Sequence, residues 1–215
     1  MDQKLLFLIN REWTGPVLDR WMAVMSSSAL WSVPLGILSA VVLLAGGFRA
    51  RAFVVVLLLA FVVNDAVVGS SIKKAVGRLR PHQSEIGVRQ IELKRPLWKG
   101  IREPVTEQIS LGTGRDQDGR SFPSNHSSNT AAAALVTAIF YRRWGWLAFV
   151  PAAAVSYSRV YTGSHWPSDV AAGMCLGMGI ALVVLALTES LWRSLGPRVV
   201  PGLAARHPSL LTPVS

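Results

Sequence analysis

The chain alternates between long apolar blocks and short basic or polar interruptions. Residues 22–48 carry no charge and, as a helix rising 1.5 Å per residue, can cross a hydrocarbon core of about 30 Å. Trp31 and the Gly46-Gly47 pair are placed as markers of its interfaces. Arg49 and Arg51 interrupt the pattern, and residues 52–72 follow as a Val/Leu-rich second span whose only ionisable member is Asp65. From residue 73 to 120 the chain turns polar and basic, with Pro81, Pro96 and Pro104, the composition of a folded loop at a membrane surface. Residues 121–141 form an Ala-rich third span closed by Arg142-Arg143. The fourth block, 144–158, covers only about 22 Å as helix, so it must run on into Arg159 to Tyr161 or begin earlier. Residues 170–188 give the fifth span, in which Gly173 and Gly177 are spaced four apart and let helices pack closely. The opening MDQKLLFLINREW is too short and too soon interrupted for a signal peptide or a span, so residues 1–28 are expected to form an interfacial helical segment. Residues 193–215 are expected to be a loosely ordered tail. The fold class is therefore all-α, a polytopic transmembrane bundle of about five spans plus an N-terminal interfacial helix, in a single domain over 1–215.

Composition sharpens this picture. About half of the residues are hydrophobic (51%), and the formal charge of +10 falls between apolar blocks rather than in a tail or helical stripe, which disfavours nucleic acid as a partner. A single cysteine, Cys175, excludes an intrachain disulfide. The short loops at 49–51 and 142–143 and the tail positions Arg193, Arg198 and Arg206 are basic, which assigns them to the cytoplasmic side. The N-terminus, the 73–120 loop and the 159–169 connection then share the opposite face. That loop is itself basic, and phosphate binding is one use for its charges. Oligomeric state is not encoded in these patterns.

Three clusters sit where apolar blocks meet polar segments. In the first, Lys73 and Arg80 are seven apart, a spacing that on one helix places both on the same face, before Pro81 stops the helix. In the second, Pro123-Ser124-Asn125-His126, Ser124 is placed to cap a helix whose free N–H groups and dipole make an anion site. In the third, Arg159 offers a planar fork of donors, and His165 and Asp169 are four apart across Pro167, suiting an imidazole and a carboxylate that meet at a helix start. Asp65 reads either as a functional acid or as the partner of a basic neighbour, and Trp166 as a pocket wall or, preferentially, an interface anchor. Cleavage of a phosphate ester or anhydride needs its oxygens neutralised, an in-line nucleophile and a proton for the departing oxygen. Lys73, Arg80, Arg159 and the turn after Ser124 supply charge, and of two imidazoles one can attack while the other donates a proton. The scheme calls for no metal and no cofactor. Asp116 and Asp118 before Gly119 read as a plain turn rather than a calcium loop.

Lys73 with six residues to Arg80-Pro81, then Pro123-Ser124-Asn125-His126, then Ser158-Arg159 with five residues to His165 and three to Asp169, together resemble the tripartite motif of the type 2 phosphatidic acid phosphatase superfamily, which includes the vanadium haloperoxidases. The match covers 72–169 directly. The resemblance implies metal-independent chemistry in which His165 attacks phosphorus, Asp169 orients it and His126 protonates the leaving oxygen. It further implies that Lys73, Arg80, Ser124, Asn125 and Arg159 bind the phosphate. Asn125 stands where the family usually has Gly, so its side chain is expected to narrow the pocket or add a donor. The five-span form is similar to bacterial undecaprenyl-diphosphate phosphatases, implying a bacterial inner membrane protein whose site faces the periplasm or exterior. The expected partners are the bilayer and a membrane lipid phosphate. Undecaprenyl diphosphate leads as substrate over phosphatidylglycerophosphate, phosphatidate and lipid A phosphates; a haloperoxidase and a non-catalytic lipid binder are the competing readings.

Overall fold

A computed structural model describes residues 1–94, 100, 103–114 and 120–211 of the protein; Pro96 and the Asp116 to Asp118 turn lie outside the described residues. Helix α1 (Asp2–Phe7) continues through a wide turn over Leu8–Glu12. Helix α2 (Pro16–Ser26) has Pro16 in its first turn, where the missing N–H costs nothing. At Ser27 the backbone becomes extended, and α3 (Ser28–Ala45) begins. The uncharged stretch 22–48 is thus divided between two helices, and the first span starts at Ser28.

After Gly46-Gly47, α4 (Phe48–Asn64) widens into π turns over Asp65–Ile72 and tightens again as α5 (Lys73–Val76). Gly77 ends this run in the left-handed conformation at φ 61°, which favours glycine at a helix terminus. Arg80 is extended, and Pro81 opens a new short helix, α6 (Pro81–Ser84). The expectation that Lys73 and Arg80 share one helical face is therefore corrected, because Gly77 breaks the helix between them. The segment read as a folded loop also contains two antiparallel strands, β1 (Ile86–Glu92) and β2 (Thr106–Leu111). The described elements that follow are helical: α7 (Asn125–Gly145), a 3-10 turn (Trp146–Ala148), α8 (Phe149–Tyr161), α9 (Pro167–Val199) and α10 (Pro201–Arg206).

Among the described residues, three helices are long and apolar enough to cross a membrane: Ser28–Ala45, the run within Phe48–Ser84, and Pro167–Val199. The other two expected spans differ for physical reasons. The first two turns of α7 carry Asn125, His126, Ser127, Ser128, Asn129 and Thr130, and the 13 residues of α8 extend only about 20 Å. As anticipated, α8 runs on to Tyr161. Helix α7 is the central member, contacted by α4, α8 and α9, and it buries Ala131, Ala132, Val136 and Phe140. Helix α3 buries none of its residues, and α3, α4 and α9 present Leu35, Leu38, Leu44, Val62, Leu182 and Leu187 outward. An apolar belt of this extent suits lipid rather than water.

The two ends of the bundle differ. At one, the Arg49 guanidinium donates to the Phe140 carbonyl and lies 5.9 Å from the Tyr141 ring. Here the backbone leaves helical geometry at Tyr141 and Arg142, where the basic pair was expected to close the span. The tail joins the same end. Trp192 Nε1 donates to the His207 carbonyl at 2.7 Å, and His207 stacks on Phe48 at 4.2 Å. The loosely ordered tail expected from residue 193 is instead helical through Val199 and again in α10, since Phe48 and Trp192 give it an aromatic surface to cover.

The opposite end is built from α1, α2, the strand pair and the end of α8. Asn10, fully buried, donates to the carbonyls of Arg89 (2.8 Å) and Tyr161 (2.7 Å) and accepts from the Arg89 N–H (2.8 Å). Asp19 accepts from Tyr161 Oη at 2.5 Å and from Arg89 at 3.0 Å. These bonds satisfy buried polar groups and fix the strands against α8, while Leu6, Ile9, Val88, Ile91 and Trp166 pack beneath.

Candidate active site

Lys73 opens α5, His126 lies in the first turn of α7, Arg159 lies in the last turn of α8, and His165 and Asp169 bracket the start of α9. The up-and-down order of the helices brings all of them to the end away from Arg49 and the tail. Lys73, Arg80 and Arg159 all stand close enough to His126 for their charges to act on it. His126, Lys73 and Arg80 are half-buried, whereas Arg159, His165 and Asp169 are buried.

Each cluster has its own scaffold. Ser124 is the N-cap of α7, its hydroxyl accepting from the Ser127 N–H at 3.4 Å. Its own N–H donates to the Asp169 carbonyl at 3.0 Å, which ties the second cluster to the third. The peptide N–H groups of Ser164 and His165 both donate to the Arg159 carbonyl, at 3.1 and 3.0 Å. Between them Gly163 sits at φ 68° under β1, where a side chain would meet the Arg89 carbonyl oxygen at 2.6 Å. Arg159 donates from Nη1 to both the carbonyl and hydroxyl of Ser26. Lys73 and Arg80, by contrast, make no side-chain hydrogen bond or ion pair with the protein among the described residues. Two cations left in this state beside a helix N-terminus and two imidazoles form a cage suited to an anion.

The expected contact between His165 and Asp169 is looser than a hydrogen bond: Nδ1 to Oδ2 is 3.7 Å. The carboxylate is held by other groups. Oδ1 accepts from Arg78 Nη1 at 2.7 Å, and Oδ2 accepts from the Ser121 hydroxyl and from the Trp166 N–H at 3.1 Å. Burial pushes the His165 imidazole down to about 4, with the Asp169 carboxylate opposing and the Arg159 and Arg80 charges adding to the push. The imidazole is therefore neutral, and able to act as a nucleophile, across the physiological range.

Other expectations are corrected. Trp166 is buried, donates from Nε1 to the Leu79 carbonyl at 2.9 Å and lies under Arg78, so it anchors the first cluster to the third rather than the protein to an interface. Asp65 makes no ion pair among the described residues; its Oδ1 accepts from the side-chain amides of Asn125 and Asn129, each at 3.3 Å. The Asn125 amide is thereby turned toward α4, and its nitrogen lies 3.3 Å from where a Gly69 side chain would begin. Arg78, Ser121, Ser26 and His82, whose Nδ1 lies 3.0 Å from the Gly163 carbonyl, were not singled out by the sequence reading. Only Arg78, two residues before Arg80, carried a local signal.

The chain is similar to known phosphatases. The chain is 29% identical to a lipid A 4'-phosphatase of Bacteroides thetaiotaomicron over 82% of its own length and 72% of that protein. It is 38% identical to an undecaprenyl-diphosphatase of Sulfolobus acidocaldarius over 33% of its own length and 34% of that protein. The crystal structure of Aquifex aeolicus LpxE superposes with a TM-score of 0.57 at 22% identity, covering 86% of this chain and 94% of that one, which establishes a shared fold. A helical membrane protein with an anion cage of this kind and such relatives is a lipid phosphatase. The chain belongs to the PAP2 superfamily, whose family model matches residues 49–193.

Proposed function

We propose that the protein hydrolyses a membrane lipid diphosphate or monophosphate through a phosphohistidine, without a metal. The phosphate settles among Lys73, Arg80, Arg159, the Ser124 cap and the first N–H groups of α7, including that of Asn125. His165 Nε2, the nitrogen turned from Asp169, attacks phosphorus as the bond to the leaving oxygen breaks; that oxygen keeps the electron pair and takes a proton from His126. Water then attacks the phosphohistidine and gives its proton to His126. The N–P bond breaks, its electrons return to His165, and orthophosphate departs. Asp169 orients the imidazole and stabilises its positive charge. The observation that carries this reading is that Lys73 and Arg80, whose side chains have no hydrogen-bond or ion-pair partner among the described residues, share one end of the bundle with Arg159, His126 and His165.

Undecaprenyl diphosphate is the leading substrate, on the similarity to an undecaprenyl-diphosphatase. A lipid A phosphate is the second reading, favoured by the coverage of the lipid A 4'-phosphatase match. The site opens on the periplasmic or outer face of a bacterial inner membrane, with residues 1–28 lying at that surface, because the basic loops and tail gather at the opposite end. The test is orthophosphate release by protein in detergent with a chelator, across undecaprenyl diphosphate, lipid A, phosphatidylglycerophosphate and phosphatidate. Turnover is expected with the first and absence of turnover in His165→Ala; release by that variant at the parent rate overturns the mechanism.

A further inference from the structure

The Asp169 carboxylate has no exposed surface, and its nearest full positive charge in hydrogen-bonding contact is Arg78. A carboxylate in such a place is costly unless it is paired and its lone pairs are satisfied. The Arg78 guanidinium does more than pair with it. Nη1 donates to Asp169 Oδ1 and to the Ser168 hydroxyl, both at 2.7 Å, Nη2 donates to Asp2 Oδ2 at 2.6 Å, and the guanidinium lies 4.9 Å from the Trp166 ring centre. Asp2 in turn accepts from the Ser168 N–H at 2.9 Å and the Ser168 hydroxyl at 2.5 Å. Among the described residues, the cations around Asp169 are thus Arg78 in contact and Lys73 and Arg80 within electrostatic reach, with the neutral His165 imidazole at 3.7 Å. Of the three cations, only Arg78 is already committed to carboxylates and so is not left for the substrate.

We propose that Arg78 is a positioning residue of the reaction: it holds Asp169 against His165, and Asp2 of the N-terminal helix holds Arg78. The inference rests on His165 being the nucleophile. The fork of donors matters here, because a guanidinium bridges Asp169, Ser168 and Asp2 at once while an ammonium has neither the planar spread nor the stacking surface for Trp166. Loss of Arg78 leaves the buried Asp169 without its cationic partner and its Oδ1 unheld, with Ser121 and the Trp166 N–H on Oδ2 left to keep it facing the imidazole, so the step at phosphorus suffers while the cage of Lys73, Arg80 and Arg159 stays whole. The N-terminal helix becomes part of the working site through this chain of contacts, although it lies outside the three sequence clusters.

The experiment is steady-state kinetics of Arg78→Lys, Arg78→Ala and Asp2→Asn beside Arg80→Ala and His165→Ala, on a lipid phosphate that the parent turns over. Arg78→Ala is expected to lower kcat on the order of 10- to 100-fold, the scale set by groups that orient metal-bound histidines, with KM little changed. Arg78→Lys recovers part of that loss, and Asp2→Asn shows a smaller fall in kcat of the same kind. Arg80→Ala raises KM. Asp2→Asn keeps the test open should Arg78→Ala fail to fold. A rise in KM at constant kcat on changing Arg78 makes it a substrate ligand and overturns the proposal, as does parent-like kcat in Arg78→Ala while His165→Ala is inert. Activity retained in His165→Ala overturns the proposed mechanism instead.

Discussion

Gly177 lies so close to Ser128 that a methyl group built on it would sit 2.0 Å from the Ser128 carbonyl oxygen. One turn earlier, Gly173 stands in the same relation to Ser124, at 2.6 Å. This stripe lets α9 approach the first turns of α7, and it does so beside the Ser124 cap and the His126 turn. Gly177→Ala must therefore push the two helices apart against backbone rather than against a flexible side chain. Overpacking of this kind costs about 1–3 kcal/mol. Thermal melting in detergent is expected to fall for Gly177→Ala, with activity lost alongside stability. Gly179→Ala is the control, since nothing lies within 4 Å of its added methyl. Equal melting temperatures for the two would show that close packing here is not required.

The stripe, the three clusters and most of the apolar blocks were legible in the sequence because each depends on spacing along one helix or its end. What was not legible depends on partners far away in the chain. Asp2 and Ser168, Arg78 and Asp169, and Ser26 and Arg159 meet only after folding. The strand pair was hidden for a different reason. A register shift between Ile86 and Arg89 makes Val88 and Ile91 the buried positions of β1, so the alternation that marks a half-buried strand is absent. The break at Ser27 was masked by a stretch that is apolar on both sides of it.

Asn125 occupies the position expected to narrow the cage, yet its amide is engaged with Asp65. Asn125→Gly should accordingly leave the cage intact. Kinetic constants are expected to stay within about threefold of the parent, less than 1 kcal/mol in the barrier. Stability should fall by up to about 1 kcal/mol, since glycine is a poor helix former and the bond to Asp65 is lost. A tenfold change in KM would mean that the side chain reaches the substrate.

The depressed His165 group predicts a pH dependence of definite sign. Its folded value of about 4 lies below the ordinary 6.5. The unfolded chain therefore takes up a proton at this site that the folded protein refuses over that interval. Stability contributed by the neutral imidazole is complete above about 6.5 and declines as pH falls toward 4, by at most about 1.4 kcal/mol per pH unit. Histidine-selective NMR, assigned with His165→Asn, is expected to show no titration of this ring between pH 7.5 and 5. A midpoint near 6.5 would mean that the ring is solvated.

Proposed membrane orientation can be checked at two exposed positions on opposite ends of the bundle. Ile109 on β2 and Leu203 on α10 are both solvent-accessible, and neither belongs to the cage. In a Cys175→Ala background, Ile109→Cys is expected to react with a membrane-impermeant maleimide added to intact cells. Leu203→Cys should react only after the membrane is opened, because α10 lies with Phe48, Arg49 and Arg142 at the basic end that the positive-inside bias retains in the cytoplasm. The reverse labelling pattern would place the cage on the cytoplasmic face. A lipid phosphate exposed only on the outer leaflet could then not reach Lys73 and Arg80, and undecaprenyl diphosphate and lipid A would have to be weighed again by the leaflet in which each presents its phosphate.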